Sequence, residues 1–105
     1  LLKKYKIQLS AIAKNDFKNI ISYIKNELLE PSIAKRMSEL LLNEILKLSS
    51  FPQKFSIIDY NIIKDLNFRK LIVKNYIIFY RINELEKIVN VERILHGSTN
   101  WINKL

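Results

Sequence analysis

The side chains in this sequence best suited to chemistry are one histidine and three strand-borne arginines. His96, in Arg93-Ile94-Leu95-His96-Gly97-Ser98-Thr99-Asn100-Trp101, is the only histidine of the chain and precedes its only glycine. With an ordinary pKa near ~6.5, a histidine is the side chain best placed to move a proton at neutral pH. Arg69, Arg81 and Arg93 sit within apolar runs, and each guanidinium offers a planar fork that holds a phosphate or carboxylate through two hydrogen bonds. Each also has a structural reading. His96 can simply end a strand where Gly97 permits a positive φ or a tight turn, and this reading is preferred. Arg93, spaced by two from Val89, Val91 and Leu95, reads as a half-buried arginine paired to a carboxylate or carbonyls. Arg69 and Arg81 divide evenly between ligand contact and plain surface charge.

The elements that must position these groups follow from hydropathy. Tyr5 to Leu9 alternates apolar and polar residues as a half-buried strand. From Ala13 to Leu29, Phe17, Ile20, Ile21, Ile24 and Leu28 form one helical stripe, with Lys14, Lys18 and Lys25 mostly off it. Pro31 closes that helix and opens a second, in which Ile33, Met37, Leu40, Leu41, Ile45 and Leu48 share a face. Leu42 exceeds what the stripe needs and points to a partner or a second copy. The lysines of residues 14 to 36 make a basic helical face, for which solvation is the default. Ser49 to Gln53 breaks the pattern. Three strands are expected at Phe68–Lys74, Asn75–Ile82 and Ile88–Leu95, with a polar hairpin link over residues 83 to 87. Ser98 or Thr99 can cap a short last helix that folds Trp101 and Leu105 back onto the body. The fold class is therefore α+β: an N-terminal strand, an antiparallel two-helix hairpin on a mainly antiparallel sheet, and a short C-terminal helix, in a single domain spanning 1–105. Both alternating sets of Asn75–Ile82 are apolar or aromatic, yet the hairpin covers one face only. The other face must meet the C-terminal helix, a partner, or both, and arginines edge it.

Composition bounds the function. The chain of 105 residues has no cysteine, which excludes a disulfide framework and thiolate zinc sites and suits a reducing cytoplasm; with one histidine, no metal or other cofactor is expected. Apolar runs of four or five residues indicate neither export nor a membrane partner. Eighteen basic against ten acidic residues leave a net charge of +8, shared equally between the two halves of the chain. Such a surface suits nucleic acid or an acidic protein.

The order of elements, with Phe51-Pro52, Arg69 before an apolar strand, Asn75-Tyr76, Phe79-Tyr80-Arg81-Ile82 and Arg93-Ile94-Leu95-His96-Gly97, resembles the RelE/ParE superfamily of bacterial type II toxin–antitoxin toxins across essentially the whole chain. The resemblance implies a small α+β toxin held inactive by a cognate acidic antitoxin whose partly disordered segment wraps it. ParE-like members poison DNA gyrase. RelE-like members cleave messenger RNA on the ribosome without a metal, by orienting a ribose 2′-hydroxyl and stabilising a phosphorane-like transition state with cations. In that second reading His96, Arg81, Arg93 and Arg69 would be catalytic. The arginine that RelE-like members usually place straight after the tyrosine is here Ile77, and Arg81 lies ~13 Å further along the same strand face. The long helical pair also looks ParE-like, so the gyrase-poison branch is favoured, with the ribosome-dependent nuclease and an inactive antitoxin-binding homologue as alternatives. Partner contacts are expected at Arg69, Tyr76, Phe79, Arg81 and Trp101. Stacking of Tyr76, Phe79 and Tyr80 on bases is the minority reading beside core packing.

Overall fold

The computed structural model describes residues 4–59 and 66–105. Strand β1 (Lys6–Leu9) leads into helix α1 (Ala11–Ser22), which widens into a π-helical turn, Tyr23–Glu27. Helix α2 (Pro31–Lys47) and a 3-10 turn, Pro52–Lys54, follow, then β2 (Arg69–Val73), β3 (Tyr76–Asn83), β4 (Ile88–His96) and a last 3-10 turn, Trp101–Lys104. This is the expected α+β architecture. The sheet runs β1-β4-β3-β2, with β1 parallel to β4 and the other pairings antiparallel.

Local chemistry explains most boundaries. Ser10 caps α1 by accepting the Ala13 N–H on its hydroxyl at 2.9 Å. Pro31 occupies the first turn of α2, where its missing N–H costs nothing. The link between β3 and β4 is tightened by the Asn83 side chain, which accepts the Glu86 N–H. Lys74 and Lys87 take left-handed backbone angles, both with φ 55, in the two hairpin turns.

Two points on the helices differ from expectation. Leu28 leaves the buried stripe because the π turn, closed by Leu28 N–H to the Tyr23 carbonyl at 3.1 Å, shifts the residues after it around the axis. Leu29 then ends the helix at φ 55. On α2 the inward position belongs to Ala34, and Ile33 is exposed.

The helix hairpin buries one face of the sheet: Ala13, Leu41, Ile45 and Leu48 pack on Leu71, Val73, Ile78, Tyr80, Val89, Val91 and Ile94. The other face, expected to meet the C-terminal helix, a partner or both, is covered largely by the chain's own residues. There Ile58, Phe68, Ile77, Phe79 and Leu95 form a second buried cluster, closed by Trp101 and Leu105. Phe79 is 0% exposed and its ring lies 5.2 Å from that of Trp101. Burying such a side chain contributes roughly 1.5–3 kcal/mol, which accounts for a strand apolar on both faces. The chain covers much of its own second face with its C-terminal turn, as one branch of the expectation held, and with Ile58 and Phe68, which it did not foresee. That turn starts after Asn100 with no side-chain cap; neither Ser98 nor Thr99 supplies one.

A bulge sets the faces of β4. Phe79 pairs with Arg93 but Tyr80 pairs with Val91, so Glu92 is an extra residue in the ladder. Val89 and Val91 face the helices, Ile94 resumes that face, and Leu95 falls on the other. Arg93 therefore does not share a face with Val89 and Val91, which corrects the reading by alternation.

Candidate functional site

Each sequence-nominated arginine is committed to a structural partner. On β2, Arg69 donates from Nη1 to the carbonyls of Gln53 and Phe55, at 3.1 and 2.6 Å. Beside it the Tyr80 hydroxyl donates to the Pro52 carbonyl at 2.6 Å, so strand and tyrosine together hold the Pro52–Lys54 turn. Burial pushes the Tyr80 hydroxyl up to about 12, the nearby Arg69 charge opposing it. Arg81 pairs with Glu92 at 2.7 Å and lies over the Phe68 ring at 5.0 Å.

Among the described residues Arg93 forms the most enclosed ion pair. Its Nε and Nη2 donate to the two carboxylate oxygens of Asp16 on α1, at 2.8 and 2.9 Å, and its Nη1 donates to the Lys104 carbonyl at 3.1 Å. The Asp16 hydrogen bonds hold the guanidinium pKa above its ordinary value. Asp16 also accepts the Ile94 N–H at 3.0 Å, while Ser10 donates its hydroxyl to the Glu92 carbonyl. β1 stops at Leu9, and these two side chains take over the edge of β4 where the strand would have continued.

His96 stands apart from all three. It pairs with Tyr76 across the hairpin, its ring edge-on to the tyrosine at 5.4 Å between centroids. Its Nδ1 accepts the Ser98 N–H at 3.1 Å and lies 2.7 Å from the Ser98 hydroxyl. A backbone donor aimed at Nδ1 needs a lone pair there, so the neutral ring carries its proton on Nε2. Of the two alternatives expected at Gly97, a positive φ or a tight turn, the chain takes the turn without a positive φ, and the Gly97 N–H bonds the Asn75 carbonyl at 2.7 Å.

Around His96 lies a cleft of about 520 Å³ lined by Asn19, Ile20, Tyr23, Tyr76, His96 and Ser98. This is the candidate site. Burial first, and then neighbouring Tyr23, raise the Tyr76 hydroxyl above a tyrosine's ordinary pKa, which keeps it a neutral donor at physiological pH. Among the described residues no arginine lines the cleft. Ile77, the residue after the tyrosine, points to the second cluster and is buried. Arg81 pairs with Asn90, five β3 residues beyond the Tyr76–His96 pair, or roughly 17 Å. The structure thus brings Tyr76 and His96 together and leaves Arg69, Arg81 and Arg93 elsewhere. Of the expected partner contacts, Phe79 is core, Tyr76 and Trp101 are half-buried, and Arg81 keeps 43% of its side chain exposed.

Sequence reasoning missed Tyr23, Asn19 and Asp16. Tyr23 lies off the apolar stripe of its helix, and Asp16 is the one acid among the lysines of α1; both were visible as exceptions.

A family model described as the ParE toxin of type II toxin–antitoxin systems, parDE, matches residues 7–101. Among solved structures, the chain is similar to one from the chromosomal ParDE toxin–antitoxin system of P. aeruginosa, with TM-score 0.72 and 14% identity over 89% of this chain and 96% of that one. It is also similar to one from the toxin–antitoxin complex RelBE2 of Mycobacterium tuberculosis, with TM-score 0.62 and 18% identity over 89% of this chain and 98% of that one. No curated protein sequence matches.

Proposed function

The chain belongs to the ParE toxin family of type II toxin–antitoxin systems, and from that premise we propose that it acts by poisoning DNA gyrase rather than by cutting messenger RNA. The observation that carries this reading is the commitment of its three strand-borne arginines. In-line attack by a 2′-hydroxyl needs cations at the developing phosphorane, and such preorganised charge is the largest contribution a metal-free site of this kind can make. Here Arg69 serves two carbonyls, Arg81 serves Glu92 and Arg93 serves Asp16, while Ile77 turns its side chain into the core. His96 and Tyr76 remain as a proton donor pair in a cleft that, among the described residues, no arginine or lysine lines.

The antitoxin partner is read as acidic, because the surfaces open to it are apolar and, at β2, lysine-bordered. Among the described residues β2 is the last strand of the sheet, met beyond only by the Ile57–Arg69 bridge, and Ile72 is 64% exposed between Lys70 and Lys74, a place for an extended segment to add to the sheet. On α2, Leu42 and Leu46 stand exposed one turn apart. Arg81, exposed at the other end of the sheet, is a further contact in this reading.

The decisive experiment places purified protein in a gyrase supercoiling assay, alongside primer extension on translating messenger RNA. Inhibition of supercoiling or accumulation of cleaved DNA, unchanged by His96→Ala, is the expected result. New 5′ ends in the messenger, lost on His96→Ala, would reassign the chain to the nuclease branch.

A further inference from the structure

We propose that the outer surface of α1, together with the cleft at His96, is a binding site for single-stranded nucleic acid. Between Ala11 and Asn26 the chain has three lysines and one acid, and that acid, Asp16, is turned inward and neutralised by Arg93 with only 11% of its side chain exposed. The solvent-facing surface of the helix is therefore free of negative charge until Glu27.

Helical spacing arranges that surface in three parallel stripes. Lys14 and Lys18, four positions apart on α1, form the first, and Lys25 follows from the π turn; all three are exposed. Asn15 and Ser22 form the second along the crown, joined by Asn26, whose amide donates to the Ser22 hydroxyl at 3.1 Å. Asn19 and Tyr23 form the third, on the flank that opens into the cleft with Tyr76 and His96. Across a helix ~10 Å wide the order is cation, amide or hydroxyl, then aromatic. A nucleotide has the same order: phosphate, sugar, base. A strand running along the helix would set its phosphates over the lysines and its sugars over the amides. One base would enter the 520 Å³ cleft beside Tyr23, which is 54% exposed, and the Tyr76–His96 edge-on pair.

A protein helix is a poorer occupant of this surface. It would need apolar anchors at helical spacing, and the outward face from Ala11 to Asn26 offers only Ile12 and Tyr23 as large exposed apolar side chains, eleven residues or about 16 Å apart. Phosphate contacts need no such anchors. The proposal goes beyond the gyrase reading and does not depend on it, because it is tested without gyrase or ribosome.

The test is fluorescence anisotropy of labelled dT 12-mer, U 12-mer and a 12-base-pair duplex with the purified chain, titrated over a range of salt. Single strands should bind more tightly than the duplex, and the sugar preferred, deoxyribose or ribose, identifies the natural source and supports the site either way. The triple variant Lys14→Gln/Lys18→Gln/Lys25→Gln should reduce the slope of log K against log salt by about 2, at ~0.7 per lost phosphate contact. Tyr23→Ala should weaken dT 12-mer binding at least ~5-fold with the slope unchanged, as for loss of one stacked base. A control with equal charge loss on α2, Lys35→Gln/Arg36→Gln/Lys47→Gln, should leave the slope nearly intact. Equal effects of the two triple variants would show a general response to net charge and overturn the proposal, as would an abasic strand that binds as well as dT 12-mer. Far-UV circular dichroism of each variant excludes unfolding as the cause.

Discussion

Replacing Asp16 with alanine should destabilise the protein more than any other exchange of a charged residue on α1. The carboxylate accepts three hydrogen bonds, two from Arg93 and one from the Ile94 amide, with Asp16 and Arg93 side chains 11% and 20% exposed. Removing it leaves the Ile94 N–H without its acceptor, at about 1–3 kcal/mol, and strands a largely enclosed guanidinium. Breaking a fully buried pair costs roughly 3–5 kcal/mol, and the residual exposure of Arg93 together with its bond to the Lys104 carbonyl reduces that share. A total near ~3 kcal/mol follows, equivalent to a fall in Tm on the order of 10–20 °C for a chain of this size. Asp16→Asn keeps an oxygen for the Ile94 amide but loses the charge, so it should fall between alanine and wild type. The double replacement Asp16→Leu/Arg93→Met should recover the share due to the stranded guanidinium, since an apolar pair carries no charge desolvation cost, and leave the penalty of the Ile94 amide. Urea and thermal unfolding followed by circular dichroism measure all three. A loss below about 0.5 kcal/mol for Asp16→Ala would refute the view that this side chain substitutes for the missing end of β1.

Three further outcomes are expected. Stability should decline between about pH 10 and 12: the buried Tyr80 hydroxyl holds its proton up to about 12, while in the unfolded chain it ionises near 10, so the folded state binds more protons in that window and loses its advantage as pH rises. Alkaline titration of Tyr80→Phe should show a shallower decline, alongside a loss of about 1 kcal/mol at neutral pH from the hydrogen bond to Pro52. Leu29→Asn should stabilise by roughly 0.5–1 kcal/mol in chemical denaturation, because leucine is strained at φ 55 and, 77% exposed, gives up little buried surface there. Gly97→Ala should cost less than about 1 kcal/mol by the same measurement: the added carbon would sit 3.4 Å from the Asn75 carbonyl oxygen, and no positive φ resists it.

What could be read from the sequence divides by the range of the interaction that decides it. Periods of 3.6 and 2 are local, so the helical pair, the three long strands and the Pro31 boundary were legible from residue spacing alone. Leu28 was misplaced because a π turn advances the chain by one residue without any mark in the hydropathy pattern. Arg93 was assigned to the wrong face for a related reason: a bulge at Glu92 breaks the alternation of β4, and the bulge is defined against β3, not within β4. The closure of the second face depended on Ile58 and Phe68, one in an irregular segment without periodicity and the other just ahead of β2. The site was the least legible part, since its residues come from α1, β3 and the end of β4 and meet only through strand register. His96 and Tyr76 could be nominated by residue type, but whether an arginine joined them depended on three separate commitments, to Asp16, to Glu92 and to the Gln53 and Phe55 carbonyls. A single acid in an otherwise basic helix is the signal that would have exposed the first of them: Asp16 lies among lysines that gain nothing from it at the surface, which argues for a cation elsewhere in the fold, and Arg93 is that cation. The same inward turn of the one negative charge leaves the exterior of α1 with lysines and neutral side chains only, so the pair that holds the helix against β4 also sets the sign of the helix surface.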